Sequence, residues 1–418
     1  MSKLCKLESI AKIDISNVDK KTKDNEKQVI LCNFVDVYHN WIVTQSTAKD
    51  FMRATANENQ IERFSIHVGQ VAMTKDSETR DDIGVPTYIA DEIPNAVLGY
   101  HCALITPDES ILDGAYLNVI LHTPYAQKYF EANASGSGQR YTLTIDIIGG
   151  FPVPLVDLEK QKRISKIFSD IDSKIANNNA ICADLENMAK LLYDYWFVQF
   201  DFPDENGKPY KSSGGKMVWN EELKREIPEG WEVKTFADIL SFSKGKIPTE
   251  LSDVKTTEAN SPYITIDVAN GGLPQFCNSV SMVSCDGETI MVMDGAASGD
   301  VYVGNYGSLG STFSKLPSKR SDITNSLIYM LLKGYMVVYK NANTGSTVPH
   351  ANRSFIEKLK IALPNDCSWI SGQFDLIIAK QLQAKTENQQ LASLRDFLLP
   401  MLMNGQVRVG TADSVENK

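Results

Sequence analysis

The residues of this sequence able to do chemistry sit in polar loops. Lys75 and Arg80 fall in a polar stretch from Thr74 to Asp82, and Ser137, Gln139, Arg140 and Tyr141 lie together in a Gly-Ser loop. Further along, Lys244 and Lys246 occupy a Ser/Gly/Lys loop. Ser298 belongs to a turn from Asp294 to Asp300, Ser311 and Thr312 to another. Ser346, Thr347, His350, Asn352 and Arg353 lie in a second Gly-Ser loop. Guanidinium, ammonium and amide groups match the edges of bases, while hydroxyls and tight backbone turns match phosphate oxygens. An ordinary solvated loop has a similar composition, so these residues count as groups more than singly.

Catalytic constellations are missing from the sequence. No Asn-Pro-Pro-aromatic tetrapeptide and no G-x-x-x-x-G-K-[ST] loop occurs: Gly207-Lys208, Gly215-Lys216 and Gly245-Lys246 are followed by Pro, Met and Ile. No G-x-S-x-G or H-E-x-x-H pattern occurs either. Asp172-Ser173-Lys174 resembles half of a nuclease motif but falls mid-helix with no partner acid in the pattern. The five histidines share no spacing, and the seven cysteines form no C-x-x-C pair, which fits small core thiols in a reducing compartment.

The elements that must position these loops follow from length and periodicity. At roughly 100–200 residues per domain, 418 residues make about two to four units. No apolar run approaches a membrane span or a signal peptide, so a soluble cytoplasmic protein is expected. With 42 basic and 52 acidic residues the net charge is −10, unlike a generic nucleic-acid coat; a sequence reader would have to cluster its few cations.

A weak internal repeat appears at an offset of about 209 residues: Gly136-Ser137 aligns with Gly345-Ser346, and Pro152-Val153-Pro154 with Ala362-Leu363-Pro364. A long helical pattern follows each copy. In the first, from about Leu158 to Val198, Ile164, Ile167, Ile171, Ile181, Leu185, Met188, Leu192 and Tyr195 step by threes and fours, with Asn178 on the same seam, where it can fix register. The second carries Phe374, Ile377, Ile378, Leu391, Leu394, Leu398 and Met401, with Pro400 expected to kink or thin its end. Neither stripe has enough neighbouring chain to cover it, so the helices are expected to pack antiparallel on each other.

The globular parts read as mixed α/β (α+β). Strands are expected at Gln70–Met73, Cys102–Ile105, Thr289–Met293 and Val301–Val303, and a helix from Leu117 to Ala132. Residues 201–230 read as a polar linker. The resulting segments are 1–155, 156–228, 229–365 and 366–418.

Several segments resemble the specificity subunits of type I restriction-modification systems. They are Thr74 to Thr79, Gly99-Tyr100-His101, Gln139-Arg140-Tyr141, Met293 to Gly299, Gly310-Ser311-Thr312, the helix start Pro154 to Ile164, Tyr193 to Val198, Phe200 to Pro203, and Pro228 to Trp231. Their order and duplication over nearly the whole chain carry the resemblance. The second helix departs from it, opening with Trp369-Ile370-Ser371 in place of a charged start.

The resemblance implies a non-catalytic chain with two target recognition domains and a pseudo-twofold repeat, joined by two long helices packed as an antiparallel coiled coil. Each domain would read half of a bipartite site in double-stranded DNA. Two methyltransferase subunits would dock on the helices and on Tyr193, Tyr195, Trp196, Phe197 and Phe200, although aromatics at this spacing also suit a core. Restriction/translocase subunits would join them. S-adenosylmethionine, ATP and magnesium would bind those partners, with no cofactor on this chain. An enzyme with an unrecognised site and a coiled-coil adaptor without DNA contact are the other two readings.

Overall fold

The computed structural model describes residues 3–136, 140–345 and 347–403 of the chain. These divide into two compact units, one running to Ala176 and resuming at Gln390, the other spanning Asn177–Gln389. Both long helices are therefore shared between the units, a division that cuts across the four segments expected from sequence.

In the first unit Val71–Thr74 is a central strand, antiparallel to Cys102–Pro107 and to Pro86–Ile89; Ala11–Ile15 extends the sheet on one side, and Ile42–Val43 on the other. Alternate side chains of a strand point to opposite faces, and here both faces are covered. Val71, Met73, Ala103 and Ile105 enter a core with Leu117, Phe130 and Phe151. Ala72, Cys102 and Leu104 enter another with Val37, Ile66 and Leu98. The single helix expected from Leu117 to Ala132 is two helices, Gly114–Leu121 and Pro124–Asn133. Pro124 starts the second because it cannot donate to a preceding turn, and the Thr123 hydroxyl caps it by accepting from the Ala126 N–H.

The second unit repeats this sheet. Ser243–Lys244, Phe313–Lys315, Ile290–Val292 and Val301–Tyr302 lie in that order, every neighbour antiparallel. Ile290 and Val292 face Ile264, Leu309 and Phe313, while Met291 faces the larger core. In each unit the last strand before a long helix also pairs with an earlier strand. Lys3–Lys6 pairs with Pro152–Leu155, and Trp231–Thr235 with Lys360–Pro364.

The first long helix is Leu158–Tyr193, ending in a π turn at Asp194–Val198; the second is Ser368–Met403 and continues through Pro400. In the first unit Phe168 packs on Leu399 and Val119, and Asp172 lies 3.7 Å from Arg395. In the second unit Asn178, 2% exposed, donates to Glu387 Oε2 (2.8 Å) and Asn388 Oδ1 (2.9 Å). Asn388 donates to Asn179 (2.8 Å), and Gln381 to the Cys182 carbonyl (3.0 Å). Residue numbers fall along one helix as they rise along the other, so the pair is antiparallel in both units.

Two sequence expectations need correction here. Residues 201–230 are not simply a linker: Met217–Asn220 and Arg225–Pro228 form a hairpin, and Phe202 stacks between Tyr210 and Trp231. Of the five aromatics assigned to partner docking, Tyr193, Trp196, Phe197 and Phe200 are buried against Trp231, Phe374 and Ile377, because the π turn rolls them into the core. Tyr195 remains outward, 42% exposed.

Candidate nucleic-acid interface

In the first unit the candidate residues gather around one short strand. Asp76–Ser77 pairs with Tyr141–Thr142, which pairs with Ser135–Gly136. Gly136 opens the loop at φ 153°, and a side chain there would collide with the Arg140 carbonyl oxygen, so glycine is required. Ser137 and Gln139 lie outside the described residues.

Beyond the loop, Arg140 is exposed, and its Nη2 stands 3.1 Å from His101 Nε2 and 3.2 Å from Nδ1. Near-equal distances put the guanidinium against the ring, not along one lone pair. Arg80 lies over the Tyr141 ring at 5.1 Å, and Lys75 over Tyr100 at 6.0 Å.

Asp76 ties the group together. It accepts from Lys75 Nζ at 2.7 Å and from His101 Nδ1, and is itself 10% exposed. Burial pushes its carboxyl upward, but hydrogen bonds from Lys75, Thr142 and His101 outweigh this and hold it below the usual carboxylate range. An ionised carboxylate offers only lone pairs, so His101 Nδ1 carries the proton. His101 adopts φ 73°, uncommon for a residue with a side chain, in the turn between Ala96–Leu98 and Cys102–Pro107; its carbonyl accepts from the Lys75 N–H at 2.9 Å. Arg140, His101 and Asp76 border a cleft of about 680 Å³, walled opposite by Phe34 and Tyr38.

The second unit builds the same feature. His350 pairs with Thr344 on one side and Asp294 on the other, as Tyr141–Thr142 pairs with both its neighbours. Gly345 opens that loop at φ 91°, where a side chain would meet the Val348 carbonyl. It stands 209 residues after Gly136, which gives the sequence repeat a structural meaning. Asp294 accepts from His350 Nδ1 at 2.7 Å and from Lys244 Nζ at 3.1 Å. Burial raises its carboxyl, while His350 and Lys244 bring it below the ordinary range. Thr312 is drawn alongside, its carbonyl accepting from the Met293 N–H at 2.7 Å, with Ser311 in the same half-buried turn. Thr347 is exposed; Ser346 lies outside the described residues.

Other expected contact residues have internal duties. Ser298 is 2% exposed, and its hydroxyl donates to the Gly295 and Pro349 carbonyls, joining two loops; it is not a DNA-facing group. Asn352 accepts from the Phe355 N–H and caps the helix Arg353–Lys358, which occupies its side-chain oxygen. Arg353 is exposed but bonds Glu357 at 2.8 Å and covers the Phe242 ring. Lys246 donates to the Ser281 carbonyl at 2.9 Å, away from the Asp294 cluster.

Asp76, His101 and Asp294 are what a search for hydrogen-bond donors passes over. The available signal was a strand followed by an Asp in both copies, Met73-Thr74-Lys75-Asp76 and Val292-Met293-Asp294.

Each unit thus carries a glycine-anchored loop beside a Lys-Asp-His cluster, and the family of the type I restriction modification DNA specificity domain matches this chain twice, over residues 3–187 and 228–395. The chain belongs to the type I restriction-modification specificity family. Within that family, the HindI specificity subunit of Haemophilus influenzae is 25% identical over 397 residues, spanning 79% of this chain and 85% of the relative. The MjaIX specificity subunit of Methanocaldococcus jannaschii is 25% identical over 324 residues, spanning 73% and 71%. The crystal structure of the S subunit of a type I restriction-modification system from M. genitalium has the same fold, with a TM-score of 0.61 at 16% identity over 96% of both chains.

Proposed function

We propose that this chain is the DNA sequence-specificity subunit of a type I restriction-modification complex. Each unit reads one half of a split target, Arg140, Lys75 and Tyr141 serving one half and His350, Lys244 and Thr347 the other. The observation that carries the reading is duplication: the same order of four strands, the same glycine-opened loop and the same Lys-Asp-His cluster occur in both units. Methyl transfer and cleavage belong to partner subunits, which bring S-adenosylmethionine, ATP and magnesium. This chain contributes recognition and a helical surface on which two methyltransferase subunits dock. Among the described residues no helix is long and apolar enough to cross a membrane, which suits work on cytoplasmic DNA.

Mapping methylated bases in cells with and without the gene tests this directly. A bipartite motif that disappears on deletion is the expected result. An unchanged methylation pattern, together with a reconstituted complex that prefers no DNA sequence, would favour the adaptor reading. Methylation or cleavage by the purified chain without partners would favour an enzyme.

A further inference from the structure

A carboxylate on a surface meant for phosphates is repelled by its ligand unless it does something there. Both units nonetheless keep one at the same strand edge, beside the glycine-opened loop, and both neutralise it with a lysine and an imidazole. The partners arrive by different routes. Lys75 is the neighbour of Asp76, whereas Lys244 comes from a strand 50 residues before Asp294. His101 comes from a turn between strands, whereas His350 lies in the loop itself. Common to both is a carboxylate holding an imidazole by its Nδ1–H.

We propose that Asp76 and Asp294 are the positioning residues of the two reading surfaces, each setting the tautomer and direction of an imidazole that governs base contact. The proposal rests on the functional reading above. With Nδ1–H committed to the carboxylate, Nε2 keeps a free lone pair. In the first unit Arg140 lies against the ring, its Nη2 near both ring nitrogens, and is itself exposed. A guanidinium so held fits the O6 and N7 of guanine. In the second unit, among the described residues, no arginine is seen against the ring, and Nε2 of the half-exposed His350 is itself an acceptor. It fits an amino group, adenine N6 or cytosine N4.

The groups facing His101 are Asp76, Arg140 and the Tyr100 ring, with Lys75 on the same Asp76 oxygen, Oδ2, that His101 holds; His350 faces Asp294, which Lys244 also holds.

The test uses the full chain assembled with its methyltransferase partners, and duplexes carrying the mapped target with either half replaced. Asp76→Asn should reduce discrimination at one half about tenfold and leave the other intact, and Asp294→Asn should do the reverse. His101→Asn, chosen because asparagine tolerates the positive φ, should give the same loss at the first half, and adding Asp76→Asn to it should cost nothing further, because both act through one imidazole. Should Asp76→Asn prove poorly folded, the half-specific loss in His101→Asn still decides the matter. Equal loss at both halves, unchanged discrimination in folded variants, or losses that add in the double variant would each overturn the proposal. A parent complex that discriminates no sequence would instead overturn the functional reading beneath it.

Discussion

At the scale of single residues, the loops depend on backbone freedom at two glycines and on one exposed guanidinium. Arg140→Ala should weaken discrimination at one half-site by about 1–3 kcal/mol and spare the other, measured by competition with half-substituted duplexes. Gly345→Ala forces a side chain onto the Val348 carbonyl. It should therefore reduce discrimination at the other half, with the unfolding midpoint lowered by no more than about 1–3 kcal/mol of local strain. Gly136 was legible because a tight loop calls for glycine, and a side chain there would meet the Arg140 carbonyl, whereas Arg140 stood out only as one of a group of polar loop residues. Ser298 and Asn352 misled for a physical reason: a hydroxyl or amide that can bond a phosphate can equally bond a neighbouring carbonyl or a helix N-terminus. Sequence alone does not say which partner is nearer.

At the scale of elements, the paired helices bury polar groups in two ways, Asp172 beside Arg395 and Asn178 within a side-chain network. Burial pushes the Asp172 carboxyl up to about 6 from an ordinary 3.8, even with Arg395 acting in the opposite sense. The folded state therefore takes up this proton more readily than the unfolded chain. The resulting penalty is absent below the ordinary value, grows as pH rises, and is complete above about 6. Asp172→Asn should consequently unfold later than the parent at about pH 8, by on the order of 1–3 kcal/mol, and converge with it near pH 3.5. Asn178 behaves differently, because its donors are satisfied. Asn178→Leu should lower the unfolding free energy by about 1–3 kcal/mol, because the oxygens of Glu387 and Asn388 lose its amide. The heptad-like spacing placed Asn178 on the seam correctly. It could not show the π turn after Tyr193, since periodicity treats Trp196 and Phe197 alike whether they face a partner or a core.

At the scale of the whole molecule, a net charge of −10 sets a limit on how DNA can be held. Lys75, Lys244 and His350 are each shared with a carboxylate, so few cations remain to release counterions. Non-specific duplex binding by the isolated chain should be weaker than about 10⁻⁵ M at 0.15 M salt, and should show a shallow dependence on salt in titrations. Partner subunits would have to supply most of the grip on the backbone. Much of the architecture was legible because the repeat was: an offset of 209 relates Gly136 to Gly345, two loops with the same backbone device. Strand order was not, since antiparallel neighbours such as Val71–Thr74 and Cys102–Pro107 are set by long-range pairing that leaves no local trace. Asn179 and Asn388 are also 209 positions apart, and they are hydrogen-bonded to each other. A bond between a residue and its own duplicate is one that a half-length polypeptide could make with an identical twin.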